Sequence, residues 1–211
     1  MRRERLGCSR LKIRWTELAS TSTWQEFSML EKLLERIARA LDKAALPYMI
    51  IGGQAVLLYG EPRLTKDIDI TLGAGLERLP EVIAAASSAE LKLLVDPESF
   101  TRQTMVLPCS DAESGIRVDF ILSFSPFGQI AISRARPVRM GTTDVKFASL
   151  EDLTIHKLIA GRARDLEDVA SILLKNPDTD LSYIRYWLHE FEAATGEPFA
   201  ERLSAVLKEI G

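Results

Sequence analysis

Asp67 and Asp69 stand two residues apart in the run Asp67-Ile68-Asp69-Ile70-Thr71-Leu72. In a strand, side chains at i and i+2 share a face, so the two carboxylates project together while Ile68 and Ile70 turn toward the core. Neighbouring carboxylates repel, and burial raises at least one of their pKa values. The pairing makes sense where a cation sits between them. Oxygen ligands suit Mg²⁺, or Mn²⁺ in its place, held through one or two carboxylates plus substrate phosphates. Gly52-Gly53 lies upstream, separated from Asp67 by thirteen residues. Backbone without side chains can approach a phosphate closely, and a helix N-terminus after it offers free N–H groups and a partial positive charge. Asp119 sits on a second alternating run, Ile116-Arg117-Val118-Asp119-Phe120-Ile121-Leu122, sharing a face with Arg117 and Ile121. If the two runs pair, Asp119 completes a three-acid site, and two divalent ions held there would clamp a triphosphate and activate an attacking hydroxyl. Each piece alone has an ordinary reading: a glycine turn, a solvated strand face, an isolated aspartate. Their joint order and spacing is what points to chemistry.

The elements that must position these residues follow from periodicity. Trp24, Phe27, Leu30, Leu34, Ile37 and Leu41 recur at helical spacing, with Thr23 and Glu26 in capping-box positions. Tyr48-Met49-Ile50-Ile51 reads as a buried strand running into Gly52-Gly53, with a short helix over residues 54–59. Residues 67–72 and 116–122 alternate as strands. A helix is predicted over 76–86, strands over 91–95 and 104–107, and a small hairpin from 138–140 and 145–147. After Ser149, an N-cap candidate with Asp152, helical patterns fill 150–159, 166–174, 181–191 and 199–210, broken at Asn176-Pro177 and Gly196-Glu197-Pro198. The layout is thus a leader (1–22), a mixed α/β domain (23–148) and a helical C-terminal domain (149–211). The fold class is α+β, a small mixed sheet flanked by helices and followed by a helical part.

Composition narrows the classes. The chain has 211 residues, is 46% hydrophobic and 27% charged, and has a net charge of −3, which is ordinary globular material and excludes a disordered or fibrous protein. The slight acidity argues against broad, nonspecific coating of nucleic acid. No apolar run approaches the ~20 residues of a membrane span, and the basic start Met1-Arg2-Arg3 is not followed by a signal-type apolar stretch. Cys8 and Cys109 cannot form a disulfide framework or a zinc site by themselves. The expectation is a cytoplasmic, reduced protein without structural metal and without membrane contact.

The order Gly52-Gly53, Asp67-Ile68-Asp69, Asp119 resembles the pattern of DNA polymerase beta-like nucleotidyltransferases. Within that superfamily, Gly52-Gly53-Gln54-Ala55, Gly60 and Arg63-Leu64-Thr65-Lys66-Asp67-Ile68-Asp69 are similar to the AbiEii/AbiGii-type toxin nucleotidyltransferases. A second block, Leu150-Glu151-Asp152-Leu153 with His156-Lys157 through Arg162 and Arg164-Asp165-Leu166-Glu167-Asp168, is similar to their helical motif. The resemblance covers roughly residues 45–175. It implies that Gly52 and Gly53 hold nucleotide phosphates and that Asp67 and Asp69 bind Mg²⁺. Asp119 would bind a second metal or help deprotonate the acceptor. Lys157 would reach the triphosphate, and Asp165 would be a further acid. A flexible ammonium is a good point partner for phosphate, although an amphipathic helix pair with surface ion pairs would give the same block. Arg63 and Thr65 either touch phosphate or cap the loop. The implied activity moves a nucleoside monophosphate from an NTP to a hydroxyl of RNA (a tRNA 3′ end) or of protein. Growth inhibition and a partner antitoxin go with it. The alternative is a nucleotide- or partner-binding module without turnover.

The remaining candidates read as structural. His156 and His189 lie in no nucleophile pattern. Arg134, Arg136 and Arg139 read as a solvated strand edge before an RNA contact. Tyr183, Tyr186, Trp187 and Phe191 are spaced for core packing, and the Trp15/Trp24 leader could mediate association.

Overall fold

The computed structural model describes residues 21–62, 65 and 67–211, with backbone only for 21–27. Arg63, Cys8, Trp15 and all but the last two residues of the leader lie outside the described residues, as do the side chains of Thr23, Trp24 and Glu26.

Helix α1 (Thr21–Lys43) puts Leu33, Leu34, Ile37 and Leu41 into the core. It is already helical at Thr21, so Thr23 lies inside it and not at its cap. The chain continues through β1 (Tyr48–Ile51), α2 (Gly52–Tyr59), β2 (Asp67–Leu72), a 3₁₀ turn (Leu76–Arg78), α3 (Leu79–Ser88) and β3 (Leu91–Leu93). Next come α4 (Pro97–Thr104), β4 (Val106–Asp111), β5 (Arg117–Leu122), α5 (Pro126–Ser133), β6 (Arg136–Met140) and β7 (Thr143–Phe147). The C-terminal helices are α6 (Leu150–Ala160), α7 (Ala163–Lys175), α8 (Leu181–Thr195) and α9 (Phe199–Ile210).

The seven strands form one mixed sheet in the order β3-β4-β5-β2-β1-β7-β6. The pairs β2–β5 and β1–β7 are parallel, and β1–β2, β3–β4, β4–β5 and β6–β7 antiparallel. The α+β reading is thereby met. On β2, Ile68, Ile70 and Leu72 are buried, while Asp67 is exposed and Asp69 half-buried. One contiguous apolar cluster runs from α1 and the sheet through Leu153 and Leu158 of α6, Val169 and Ile172 of α7, Leu188 of α8 and Leu203 of α9. The helical part is therefore packed on the sheet part through a shared core. No helix among the described residues is long and apolar enough to cross a membrane.

Two helices, α4 and α5, fall where none is predicted. Each has a short polar residue accepting from the first turn, Asp96 from Ser99 and Ser125 from Gly128, followed by proline at the first helical position. The helix at 52–59 also starts earlier than expected. Gly52 and Gly53 form its first turn and are not a loop before it. The hairpin of β6 and β7 closes the far edge of the sheet, with Arg136 and Arg139 exposed on its outer strand.

Candidate active site

Asp69 faces Asp119 in direct parallel register between the central strands β2 and β5, with Asp67 opposite Arg117 one step along the same face. Residue-by-residue alternation puts these side chains on one face once the strands pair, because Ile68, Ile70 and Leu72 of β2 and Val118, Phe120 and Leu122 of β5 turn to the buried side. Ile51, the last residue of β1, lies in register with Asp69, so α2 starts directly above it. Gly52 has φ +66°, and a Cβ there would collide with the Asp69 carboxylate. Glycine is required at this position both for the left-handed backbone and for the close approach. A Cβ on Gly53 would meet Thr65 Cβ and Oγ1 at 2.9 Å. The preceding residue, Ile51, gives α2 no side-chain cap, so the N–H groups of its first turn receive no acceptor from it, and that turn begins beside Asp69.

Electrostatics at this spot are unbalanced. Burial pushes the Asp69 carboxyl above its usual range, and the charges of Asp67 and Asp119 push it further, against weaker lowering by Lys157 and Arg162. Asp67 accepts a hydrogen bond from the Thr65 hydroxyl. Arg117 Nε donates to both oxygens of Asp119 at 2.9 Å. With Asp67 turned to Thr65 and Asp119 to Arg117, no three His, Cys, Asp or Glu side chains among the described residues form a ready metal cage. The three acids thus share one face of β2 and β5, with Asp67 bonded to Thr65 and Asp119 to Arg117. The donor set fits a hard cation arriving with a polyphosphate, which completes its coordination with phosphate oxygens and water; excess negative charge around half-buried Asp69 is what such an ion offsets.

The helical block closes a second charged cluster beside the first. Lys157 Nζ lies 2.8 Å from Asp165 Oδ1 and 2.8 Å from Asp168 Oδ2, with the lysine side chain only 6% exposed. Asp165 also accepts from Arg162 Nε at 2.6 Å. Burial raises the Asp165 pKa, but bonds from Arg162 and Lys157 outweigh it and hold the carboxyl below its ordinary value. The resemblance implies that Lys157 reaches the triphosphate and that Asp165 is a further acid; in the structure the two are paired with each other, because Gly161, at φ +63°, ends α6 and folds α7 back so that its two aspartates meet the lysine. Arg202 of α9 secures that turn, donating to the Leu158 and Ile159 carbonyls at 2.8 Å each. Sequence reasoning assigned no role to Arg117, Arg162 or Asp168. The signal for Arg117 was its strand face, shared with Asp119.

A third network anchors α6. Ser149 caps it by accepting from Asp152 N, as its sequence suggested, and donates to the Asp152 carboxylate at 2.6 Å. Tyr183 and Arg134 also bond Asp152, at 2.8 and 3.1 Å, with the guanidinium 4.1 Å over the tyrosine ring. Arg134 thus leaves the strand edge it was assigned to. His156 is packed on Phe127 at 5.3 Å, its Nε2 is buried without a partner, and burial pushes its pKa down to about 4. Tyr183, Trp187 and Phe191 pack against the core, whereas Tyr186 is exposed.

The family model described as nucleotidyl transferase AbiEii toxin, Type IV TA system, matches residues 32–210. No curated protein matches the sequence. The chain is similar to the solution structure of the antibiotic-resistance factor ANT(2'')-Ia, at 16% identity and TM-score 0.56, over 79% of this chain and 94% of that one. It is also similar to an antigenic nucleotidyltransferase-like protein from Paracoccidioides brasiliensis, at 17% identity and TM-score 0.51, over 85% and 92% of the two chains. A crystal structure of ANT(2'')-Ia with adenylyl-2''-tobramycin matches at 15% identity and TM-score 0.52, over 87% and 99%. At these identities the likeness is one of fold.

Proposed function

The chain belongs to the AbiEii nucleotidyltransferase toxin family, and on that premise we propose that it transfers a nucleoside monophosphate from an NTP, with Mg²⁺, to a hydroxyl of RNA or protein. The observation that carries the proposal is the register pair Asp69–Asp119 under Gly52, at the uncapped first turn of α2. Asp67, Asp69 and Asp119 are the residues that would hold the divalent ion, which when bound neutralises phosphate charge and favours an ionised acceptor hydroxyl.

The chain's own groups supply the rest. N–H groups of the first turn of α2 receive phosphate oxygens, where unsatisfied donors and the helix dipole favour negative charge. Glycines at positions 52 and 53 keep side chains out of that approach. Asp119 would also help take the proton of the acceptor hydroxyl. A bond forms between the acceptor oxygen and the α-phosphorus, the bond to the β-phosphate oxygen breaks, and pyrophosphate leaves. Lys157 acts from behind, by its charge on Asp69 and by fixing α6 to α7. Growth inhibition and a cognate antitoxin belong to the same proposal.

The Arg117–Asp119 pair favours one other reading, binding of a nucleotide or partner without turnover, since an arginine already occupies one acid. The test incubates the purified full chain with each α-labelled NTP, Mg²⁺ and either total RNA or lysate protein. The expected result is label on one acceptor class, abolished in the Asp67→Ala/Asp69→Ala variant. Label transfer that survives this change overturns the catalytic assignment; NTP binding with no transfer to either acceptor supports the second reading.

A further inference from the structure

Among the cations whose fields reach Asp67 and Asp69, Arg117 is in a different position from the others. Lys157 and Arg162 are bonded to Asp165 and Asp168, two carboxylates of their own. Arg117 is bonded to Asp119, one of the three acids themselves, and it contacts that carboxylate only through Nε. Its terminal NH₂ groups have no partner among the described residues, and its side chain is 53% exposed while Asp119 is 18% exposed. An exposed arginine on a strand costs little to move, since such pairs are held weakly in water. A guanidinium fork binds carboxylate and phosphate with similar geometry.

The geometry points to Arg117 as a built-in counter-ion of the acid cluster, one that yields Asp119 to an incoming divalent cation and moves its guanidinium onto the phosphates arriving with it. This inference rests on the reading that the acids receive a divalent ion and a polyphosphate. Two cations on one carboxylate repel, so the entering ion displaces the mobile one. The freed guanidinium would then be available to the negative charge of the polyphosphate. Arg117 in this way resists occupation of the acids by a bare cation and favours occupation by a cation with its polyphosphate.

The consequence has two opposite signs, which a purely structural ion pair does not produce. Mn²⁺ is the spectroscopic probe, its free fraction read by electron paramagnetic resonance, and inorganic tripolyphosphate is the second ligand, followed calorimetrically at saturating Mn²⁺. For Arg117→Gln, bare Mn²⁺ binds about tenfold more tightly than to the unchanged chain, and tripolyphosphate about tenfold more weakly, as loss of one charged hydrogen bond implies. Arg117→Lys, which keeps charge without the fork, restores part of the tripolyphosphate affinity. Arg139→Gln, at a comparably exposed arginine paired with Asp144 on the outer strand, changes neither affinity, and a thermal melt of each variant confirms folding. Unchanged Mn²⁺ affinity in Arg117→Gln overturns the inference while leaving the proposed activity standing. Tighter Mn²⁺ with unchanged tripolyphosphate affinity overturns the transfer of the guanidinium to phosphate. Binding of neither ligand by the unchanged chain overturns the proposed function and this inference together.

Discussion

The acids of β2 and β5 and the ion network of α6 and α7 are near enough for their charges to act on each other, yet they treat charge in opposite ways. In the helical network every charge is matched: Lys157 and Arg162 against Asp165 and Asp168, with lysine and both aspartates buried. Around Asp69 three acids share one face, with Arg117 bonded to Asp119 alone among them, and Asp67 is exposed. A matched buried network holds geometry and resists change. An unmatched, half-open cluster is held together by the sheet in spite of its charges, and is therefore ready for a ligand that supplies the missing positive charge. On the proposed reading the two blocks divide the work: the helical block positions and the strand acids hold the ion.

Removing a charge from the matched side is the severest way to break this comparison. Lys157→Met leaves Asp165 and Asp168 buried with Arg162 alone, and loss of one partner of a buried pair costs about 3–5 kcal/mol. Urea unfolding should show that loss as a lower midpoint. It should shrink when Asp165→Asn and Asp168→Asn accompany the change, because the uncompensated charges are then gone. A Lys157→Met chain as stable as the original would mean that the lysine is not structural, and would return it to the phosphate role that the resemblance implies.

Gly52 belongs to the strand-acid side, since it closes α2 down on Asp69, and its substitution gives the next largest effect. Gly52→Ala places a Cβ against the Asp69 carboxylate at a left-handed backbone position, a strain of about 1–3 kcal/mol. The expected outcome is a lowered melting temperature together with lost label transfer. Gly196→Ala, also at positive φ but with open space around its Cβ, should cost stability alone. A Gly52→Ala chain with full transfer would sever the link between the close approach and the chemistry.

Much of this was legible beforehand, for reasons that can be located. Period-2 alternation is strong in 67–72 and 117–122, and it fixes the acids' common face however the strands are ordered. The C-terminal helices are long and amphipathic, and the Ser149 cap is a local signal. What escaped was either short or distant. Helices α4 and α5 are eight residues each, too brief for periodicity, although Asp96-Pro97 and Ser125-Pro126 announce their starts. The inward turn of Lys157 depends on Gly161 reversing the chain, and the stacking of Arg134 on Tyr183 joins residues far apart in sequence. Asp119 lying beside Arg117 was readable from the strand face, but its consequence, an acid already holding a cation, needed the geometry.

The smallest expected effect sharpens the comparison most, because its sign is unusual for removal of a charge. Asp69 has its pKa raised by burial and by its acidic neighbours, so the folded chain holds that proton more tightly than the unfolded chain does. Such a group favours folding below its unfolded pKa, and that contribution is lost as pH rises through the folded value. At neutral pH the ionised carboxylate is therefore a net cost, one that Asn does not carry. Asp69→Asn should melt at a higher temperature than the original chain at neutral pH, by less than either loss above, and the gap should narrow as pH falls through the carboxylate range. Asp165 has its pKa lowered by its partners, so Asp165→Asn should lower the melting temperature at neutral pH, with a gap that closes in acid. Melting curves of both variants against pH decide the matter: if Asp69→Asn melts lower at neutral pH, the strand acids are already balanced, and the division between a holding cluster and a waiting one fails.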